Sequence, residues 1–229
     1  MTEVVSIVAM PEGMNSAPVL RVPRLTAGYA GKAITRIENL HIRAGEAALL
    51  AGRSGSGKTT ALLAIAGLAQ RIEGEISVDD TLVSSLSPRA RDRHRGQHIG
   101  LVFQDLHLAY GLTALENMLL APFSAGHKRD VVRATDLLKG LGLEARIRAR
   151  AETLSRGEAQ RVAIARAMLI EPSLILADEP TASLDDEACE KVLDLLLGAT
   201  RETGAALLIA THDSRVKSRI SNVVVAEPA

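Results

Sequence analysis

Gly52-Arg53-Ser54-Gly55-Ser56-Gly57-Lys58-Thr59 fits the pattern G-x-x-x-x-G-K-[ST]. Glycines at this spacing let backbone N–H groups turn inward around phosphate oxygens, and a helix starting where the loop ends adds the positive end of its dipole. Lys58 would bring charge to the outer phosphates of a nucleoside triphosphate, and Thr59 a hydroxyl to Mg²⁺. The pattern needs a strand before it and a helix after it, and both are legible: Ala47 to Ala51 is an all-apolar run, and Thr60 to Ala66 is helix-compatible. A second candidate is Leu174-Ile175-Leu176-Ala177-Asp178-Glu179, an apolar run that delivers two adjacent carboxylates. Asp178 is placed to hold Mg²⁺, directly or through water, and Glu179 to polarise an attacking water. An apolar strand ending in Asp-Glu is often merely structural. Beside the Gly-rich loop it describes phosphoryl transfer, which needs little beyond positioning and charge stabilisation.

These residues must be brought to one edge of a scaffold. Four short runs have the same character: Ala47 to Ala51, Ile99 to Phe103, Leu174 to Ala177 and Ala206 to Ala210. Each is apolar throughout, as suits strands buried on both faces of a parallel sheet, and each ends on polar residues. Ligands of such sheets bind at the carboxyl ends of the strands. The fold expected is α/β, a P-loop NTPase core with a mostly parallel sheet. Leu20, Val22, Ile34, Leu40 and Ile42, separated by Gly28, Gly31 and Gly45, predict a small N-terminal antiparallel β subdomain. From Leu112 to Arg150 the chain turns helical and more charged. Thr113 and Glu116 form a capping box, Pro122 is expected to stop that helix, and Val131, Val132, Leu137, Leu138 and Leu141 mark a second helix ending near Gly140 or Gly142. This predicts an inserted helical subdomain over about residues 112–172. Residues 1–18 read as a loose tail, and residues 1–229 as one domain.

Composition sets the bounds. Lys plus Arg and Asp plus Glu number 27 each, so the formal net charge is zero and no broad pull on nucleic acid exists; no nucleic-acid partner is expected. Aromatics are 2%, leaving Leu, Ile, Val and Ala to fill the core. Cys189 is the only cysteine, which rules out an intrachain disulfide, and it shares a helical stripe with Val192, Leu195 and Leu196 that reads as core. No apolar run approaches the ~20 residues of a spanning helix. The start lacks a basic n-region and carries Glu3, which argues against a signal peptide. Arg91, Arg93, His94 and Arg95 form a basic run whose default is a solvated face.

Further segments fall in one order along the chain. Gln104 follows the run Ile99 to Phe103. Leu154-Ser155-Arg156-Gly157-Glu158 precedes Ala159-Gln160-Arg161. Ala182-Ser183-Leu184-Asp185 follows Glu179, and Thr211-His212-Asp213 follows Ala206 to Ala210. Over about residues 20–225 the chain resembles the nucleotide-binding subunits of ABC transporters. The segments stand where that family has its Q-loop, its LSGGQ signature, its D-loop and its H-loop.

The resemblance implies an ATPase using ATP and Mg²⁺. Glu179, His212, Gln104 and Lys58 would carry catalysis. Thr59, Gln104 and Asp178 would serve the metal. Nucleotide would be held by Tyr29 through adenine stacking, by Gly52 to Thr60, and by Ser155, Gly157 and Asp185 across a head-to-tail homodimer. A separate integral-membrane permease is implied, with this subunit cytoplasmic and peripheral on the inner face of the cell membrane. Two departures stand out: Arg156 where the signature usually has Gly, and Glu158 where it often has Gln. The run Phe103 to Leu108 with Leu112 to Asn117 is similar to the lipoprotein-releasing and macrolide-efflux group. The short stretch after His212 leaves no room for a regulatory domain, which favours export. A non-transport ABC ATPase and a regulatory ABC protein with weak turnover are the alternatives.

Overall fold

The structure, a computed structural model, describes residues 17–124, 128–182 and 184–229. The expected tail lies almost wholly outside them, as does Ser183. In chain order, β1 (Leu20–Tyr29), β2 (Lys32–Ile42) and β3 (Ala47–Ala51) lead into α1 (Lys58–Ile65). Then come β4 (Gln70–Gly74), β5 (Ser77–Val78), β6 (Thr81–Leu82), α2 (Pro88–His98) and β7 (Ile99–Val102). The helices α3 (Ala114–Ser124), α4 (Val131–Gly140) and α5 (Arg156–Met168) follow. The chain closes with β8 (Leu174–Asp178), α6 (Asp186–Thr203), β9 (Ala206–Ala210), α7 (Ser214–Lys217), β10 (Asn222–Val225) and β11 (Glu227–Pro228).

The apolar runs build a parallel sheet ordered β10-β3-β9-β8-β7. β3, β8 and β9 are almost wholly buried, as strands covered on both faces must be. Register aligns the chemistry. Asp178 pairs with Ala210, and Leu50 with Ala210, so the residues after β3, β8 and β9 emerge side by side at one edge. The antiparallel sheet is also present, with β1 paired to β2 from Leu20↔Ile42 to Tyr29↔Lys32. Leu20, Val22, Leu25, Leu40 and Ile42 pack with Leu50, Leu62 and Leu176 into one core. A second core, on the other side of the parallel sheet, joins Ile164, Ile175, Ile209 and α6, and it takes in Cys189 beside Val192, Leu193 and Leu196, with Leu195 left partly exposed.

The helices α3, α4 and α5 share a third core of Met118, Leu119, Ala134, Leu138, Leu143, Val162 and Ala165. α3 starts at the expected box: the Thr113 hydroxyl accepts from Glu116 N (3.2 Å), and the Glu116 carboxylate accepts from Thr113 N (2.8 Å). Pro122 does not end the helix, which runs on to Ser124. Proline's fixed φ is itself helical, and within the last turn it costs only one hydrogen bond to the preceding turn. The α4 stripe also differs. Ala134 and Leu138 are buried, whereas Val131 and Val132 are 47% and 73% exposed, because Ala134 and Leu138, four residues apart, face α3 and α5. The basic run on α2 is only partly a solvated face. His94 is buried and stacks on His98 with ring centroids 4.4 Å apart, Arg91 covers Gly67, and Arg95 donates to the Ala66 carbonyl at 3.4 Å.

Candidate active site

The loop from Gly52 to Thr59 leaves β3 and becomes α1, as its pattern requires. Gly57 takes φ +86° at the helix start, and a Cβ there would meet the Thr35 Cβ at 2.6 Å. A Cβ on Gly52 would fall 2.3 Å from the Ser56 hydroxyl. Both positions therefore demand glycine. No side chain caps α1 and its first turn carries no acid, so its leading N–H groups are left for an anion. Lys58 is buried, and its Nζ donates to the carbonyls of Gly52 (3.1 Å) and Arg53 (3.2 Å), which aims the charge into the mouth of the loop.

Across from it, Glu179 follows β8 with φ +45°, a left-handed conformation uncommon outside glycine. Its N–H is held by the Ala210 carbonyl at 2.8 Å, and Oε1 lies 4.0 Å from Lys58 Nζ. The Thr211 hydroxyl donates to Oε2 at 2.6 Å, and His212 Nδ1 lies 2.8 Å from Oε1. Backbone strain held at a carboxylate of this kind is a mark of functional sites. Asp178 is buried, and among the described residues its Oδ1 has no hydrogen-bond partner. Burial pushes its carboxyl pKa up; the Thr59 hydroxyl and the Lys58 charge oppose this, and the charge of Glu179 adds to it. A buried carboxylate oxygen with a vacant lone pair beside a threonine hydroxyl is what a hard cation such as Mg²⁺ would use.

The structure therefore brings Lys58, Thr59, Asp178, Glu179 and His212 together. Gln104 is exposed just beyond β7, on the edge where β7 runs beside β8. Its loop is pinned by Arg166, which donates to the carbonyls of Leu106 and His107, each at 2.8 Å. Tyr29 ends β1 with its side chain half exposed. Ser155 and Gly157 stand apart at the start of α5. The Ser155 hydroxyl accepts from Glu158 N at 3.3 Å, and the Glu158 carboxylate accepts from Ser155 N at 2.8 Å and from Arg146 Nε at 2.8 Å. The unusual Glu158 thus completes a capping box, and the Ser155 amide, followed by Arg146, holds its carboxyl below the usual range. Arg156 is exposed and borders a cavity of ≈ 540 Å³ with Asp105, Tyr110 and Glu152. Asp185 caps α6 by accepting from Ala188 N at 2.8 Å.

Thr211, Arg166 and Asn117 also shape the site and its neighbouring loop, in roles that sequence pattern does not mark. Asn117 is buried and ties the loop before α3 through the backbone of Ala109, Leu112 and Thr113. Its place in the first turn after a capping box was the only hint; Arg166 left none.

A phosphate-cradling loop facing a carboxylate pair at the edge of a parallel sheet defines a P-loop ATPase. The family described as ABC transporter matches residues 36–182. A lipoprotein-releasing system ATP-binding protein LolD from Novosphingobium aromaticivorans is 42% identical over 215 residues, covering 91% of this chain and 96% of that one. The macrolide export ATP-binding/permease protein MacB of Rhodopirellula baltica is 40% identical over 189 residues, which are 81% of this chain and 28% of that longer protein. Among solved structures, the dimeric ATP-binding cassette MJ0796 bound to ADP and Pi, in a post-hydrolysis state, aligns with a TM-score of 0.77 at 32% identity, covering 91% of this chain and 94% of that one. The cbiO1 subunit of Clostridium perfringens, part of the transporter complex cbiONQ, aligns with a TM-score of 0.81 at 28% identity, covering 93% and 86%. The chain belongs to the ABC transporter family, as an ATP-binding and ATP-hydrolysing subunit.

Proposed function

We propose that this subunit hydrolyses ATP with Mg²⁺ at the inner face of the cell membrane and powers a separate integral-membrane permease that moves amphiphilic cargo outward. The observation that carries the chemistry is Glu179, held by Thr211 and His212 and set beside Lys58 and the unpaired Oδ1 of Asp178. The Gly52–Thr60 segment binds the phosphates, with Lys58 neutralising the outer two. Mg²⁺, when bound by Thr59, Asp178 and Gln104, supplies charge to the transferred phosphoryl group. Glu179 has about four lone-pair sites. Two are engaged by Thr211 and His212, which fix its direction and leave the others to orient water. Tyr29 offers a flat ring to adenine.

A dimer follows from where the signature sits. Ser155 caps α5 and Gly157 lies in its first turn, so this helix start can close over nucleotide on a second copy, with Asp185 at the same seam. Association would be a ligand-shifted equilibrium, favoured by ATP and released by hydrolysis. Among the described residues no helix is long and apolar enough to cross a membrane, which supports peripheral attachment through the permease. The export direction and the cargo class rest on relatives named for lipoprotein release and macrolide export. The deciding experiment is phosphate release with Mg²⁺ against EDTA, followed by co-purification with the permease. Turnover only with Mg²⁺, and recovery with membranes only when the permease is present, are expected. Turnover in EDTA, or no association, would overturn the metal or the transport assignment respectively.

A further inference from the structure

Arg215 belongs to none of the motifs above, yet its guanidinium joins the segment after β9 to the start of α6, two segments that meet at the site. On one side, Nε donates to Asp213 Oδ1 and Oδ2 at 3.0 and 3.1 Å, and Nη2 to Oδ2 at 2.7 Å. On the other side, Nη1 reaches the Leu184 carbonyl at 3.2 Å and Asp186 Oδ1 at 2.8 Å. Asp213 also accepts from the Thr181 hydroxyl at 3.0 Å. Thr181 lies two residues beyond Glu179, and Asp213 directly follows His212. The Thr181–Asp213 and His212–Glu179 contacts therefore close a small ring.

We propose that Arg215 is a positioning residue for ATP hydrolysis, locking Asp213 in that ring and anchoring it to the start of α6 so that His212 stays on Glu179. The proposal rests on the assignment of Glu179 and His212 as the hydrolytic pair. Without the guanidinium, Asp213 keeps the Thr181 hydroxyl and, as the cap of α7, the backbone N–H of residue 215 at 2.9 Å, but it loses its charged partner and its tie to the start of α6. The loop that carries His212 is then no longer braced against α6, and small shifts of the imidazole relative to Glu179 become available. A lysine cannot replace the fork, because a single ammonium cannot address the Asp213 carboxylate and the Leu184 carbonyl on opposite sides. The lowered pKa of Asp213, caused first by Arg215, agrees with the geometry.

The molecule supplies its own control. Arg219 also forks two carboxylates of α6, Glu190 and Asp194, and among the described residues these ion pairs include no residue of a site loop. Steady-state ATPase kinetics on the full chain are compared for Arg215→Ala, Arg215→Lys and Arg219→Ala. Because small misplacements near the chemistry are costly, kcat of Arg215→Ala is expected to fall about ten-fold or more with KM for ATP within about two-fold, Arg215→Lys recovering only part. Arg219→Ala should keep the parental kcat. Equal losses in Arg215→Ala and Arg219→Ala, or a rise in KM at constant kcat, would overturn the proposal. Should Arg215→Ala not fold, Asp186→Asn cuts one arm at a side chain that is 94% exposed. It should lower kcat about two- to five-fold by the same misplacement, and an unchanged kcat would overturn the anchoring to α6. A parent protein that releases no phosphate would overturn the hydrolytic assignment instead.

Discussion

His212 Nδ1 lies 2.8 Å from Oε1 of Glu179, across the edge where β8 and β9 end. A carboxylate only accepts, so Nδ1 carries the proton and the other ring nitrogen is left to face solvent or nucleotide. Glu179→Gln removes the charge while keeping the shape. It should retain ATP binding, lose nearly all turnover, and accumulate as an ATP-bound dimer. Size-exclusion chromatography with ATP and Mg²⁺ checks this; a variant that binds ATP yet stays monomeric would refute the trapped dimer.

Thr211 donates the shortest hydrogen bond to Glu179, at 2.6 Å. Thr211→Val keeps the shape and deletes the donor. We expect kcat to fall about ten-fold with little change in ATP affinity, since the bond orients the carboxylate rather than the substrate. Parallel kcat and KM measurements decide it, and a change confined to KM would place Thr211 in nucleotide binding.

Lys58 is buried and bonded within the loop, so its removal acts on phosphate charge and on loop shape together. Lys58→Ala should weaken binding of a fluorescent ATP analogue several-fold or more and abolish turnover. Parental affinity and rate would contradict the assignment of this loop.

Arg156 is exposed at the first position of α5, whereas Ser155 caps that helix. Arg156→Gly should leave turnover within about two-fold, the cost being that of a terminal helix glycine. Ser155→Ala should destabilise the chain by about 1 kcal/mol through the lost cap, and should also impair ATP-driven dimerisation. Turnover measured across protein concentration separates the two variants. A lost rate in Arg156→Gly alone would overturn this placement of the signature.

Asp213 has its pKa lowered from 3.8 to about 2, chiefly by the Arg215 guanidinium. A depressed carboxylate stabilises the fold above its unfolded pKa, and that contribution fades as pH falls toward the folded value. With discounting for the partial exposure of Arg215, it is worth roughly 1–2 kcal/mol at neutral pH. Asp213→Asn should therefore unfold at lower urea than the parent at pH 7, and the gap should shrink between about pH 4 and pH 2. Urea titrations at several pH values test this, and a gap independent of pH would contradict it.

Local pattern alone carried much of this protein. The glycine spacing from Gly52 to Gly57 dictates a loop that side chains would block, and the apolar runs ending at Ala51, Ala177 and Ala210 dictate a buried parallel sheet with its chemistry at one edge. The Thr113–Glu116 box located the start of α3, because capping is settled within one turn. Tertiary structure decided what depends on residues far apart in the chain. Arg166 pins the Gln104 loop, Arg215 bridges to Leu184 and Asp186, and Glu158 completes a cap while pairing with Arg146. It also decided which apolar side chains of α4 are buried, turning Val132 outward and Ala134 inward. Period and caps fix an element and its ends, but the face it buries and the partners of its long charged side chains are set only when other elements pack against it.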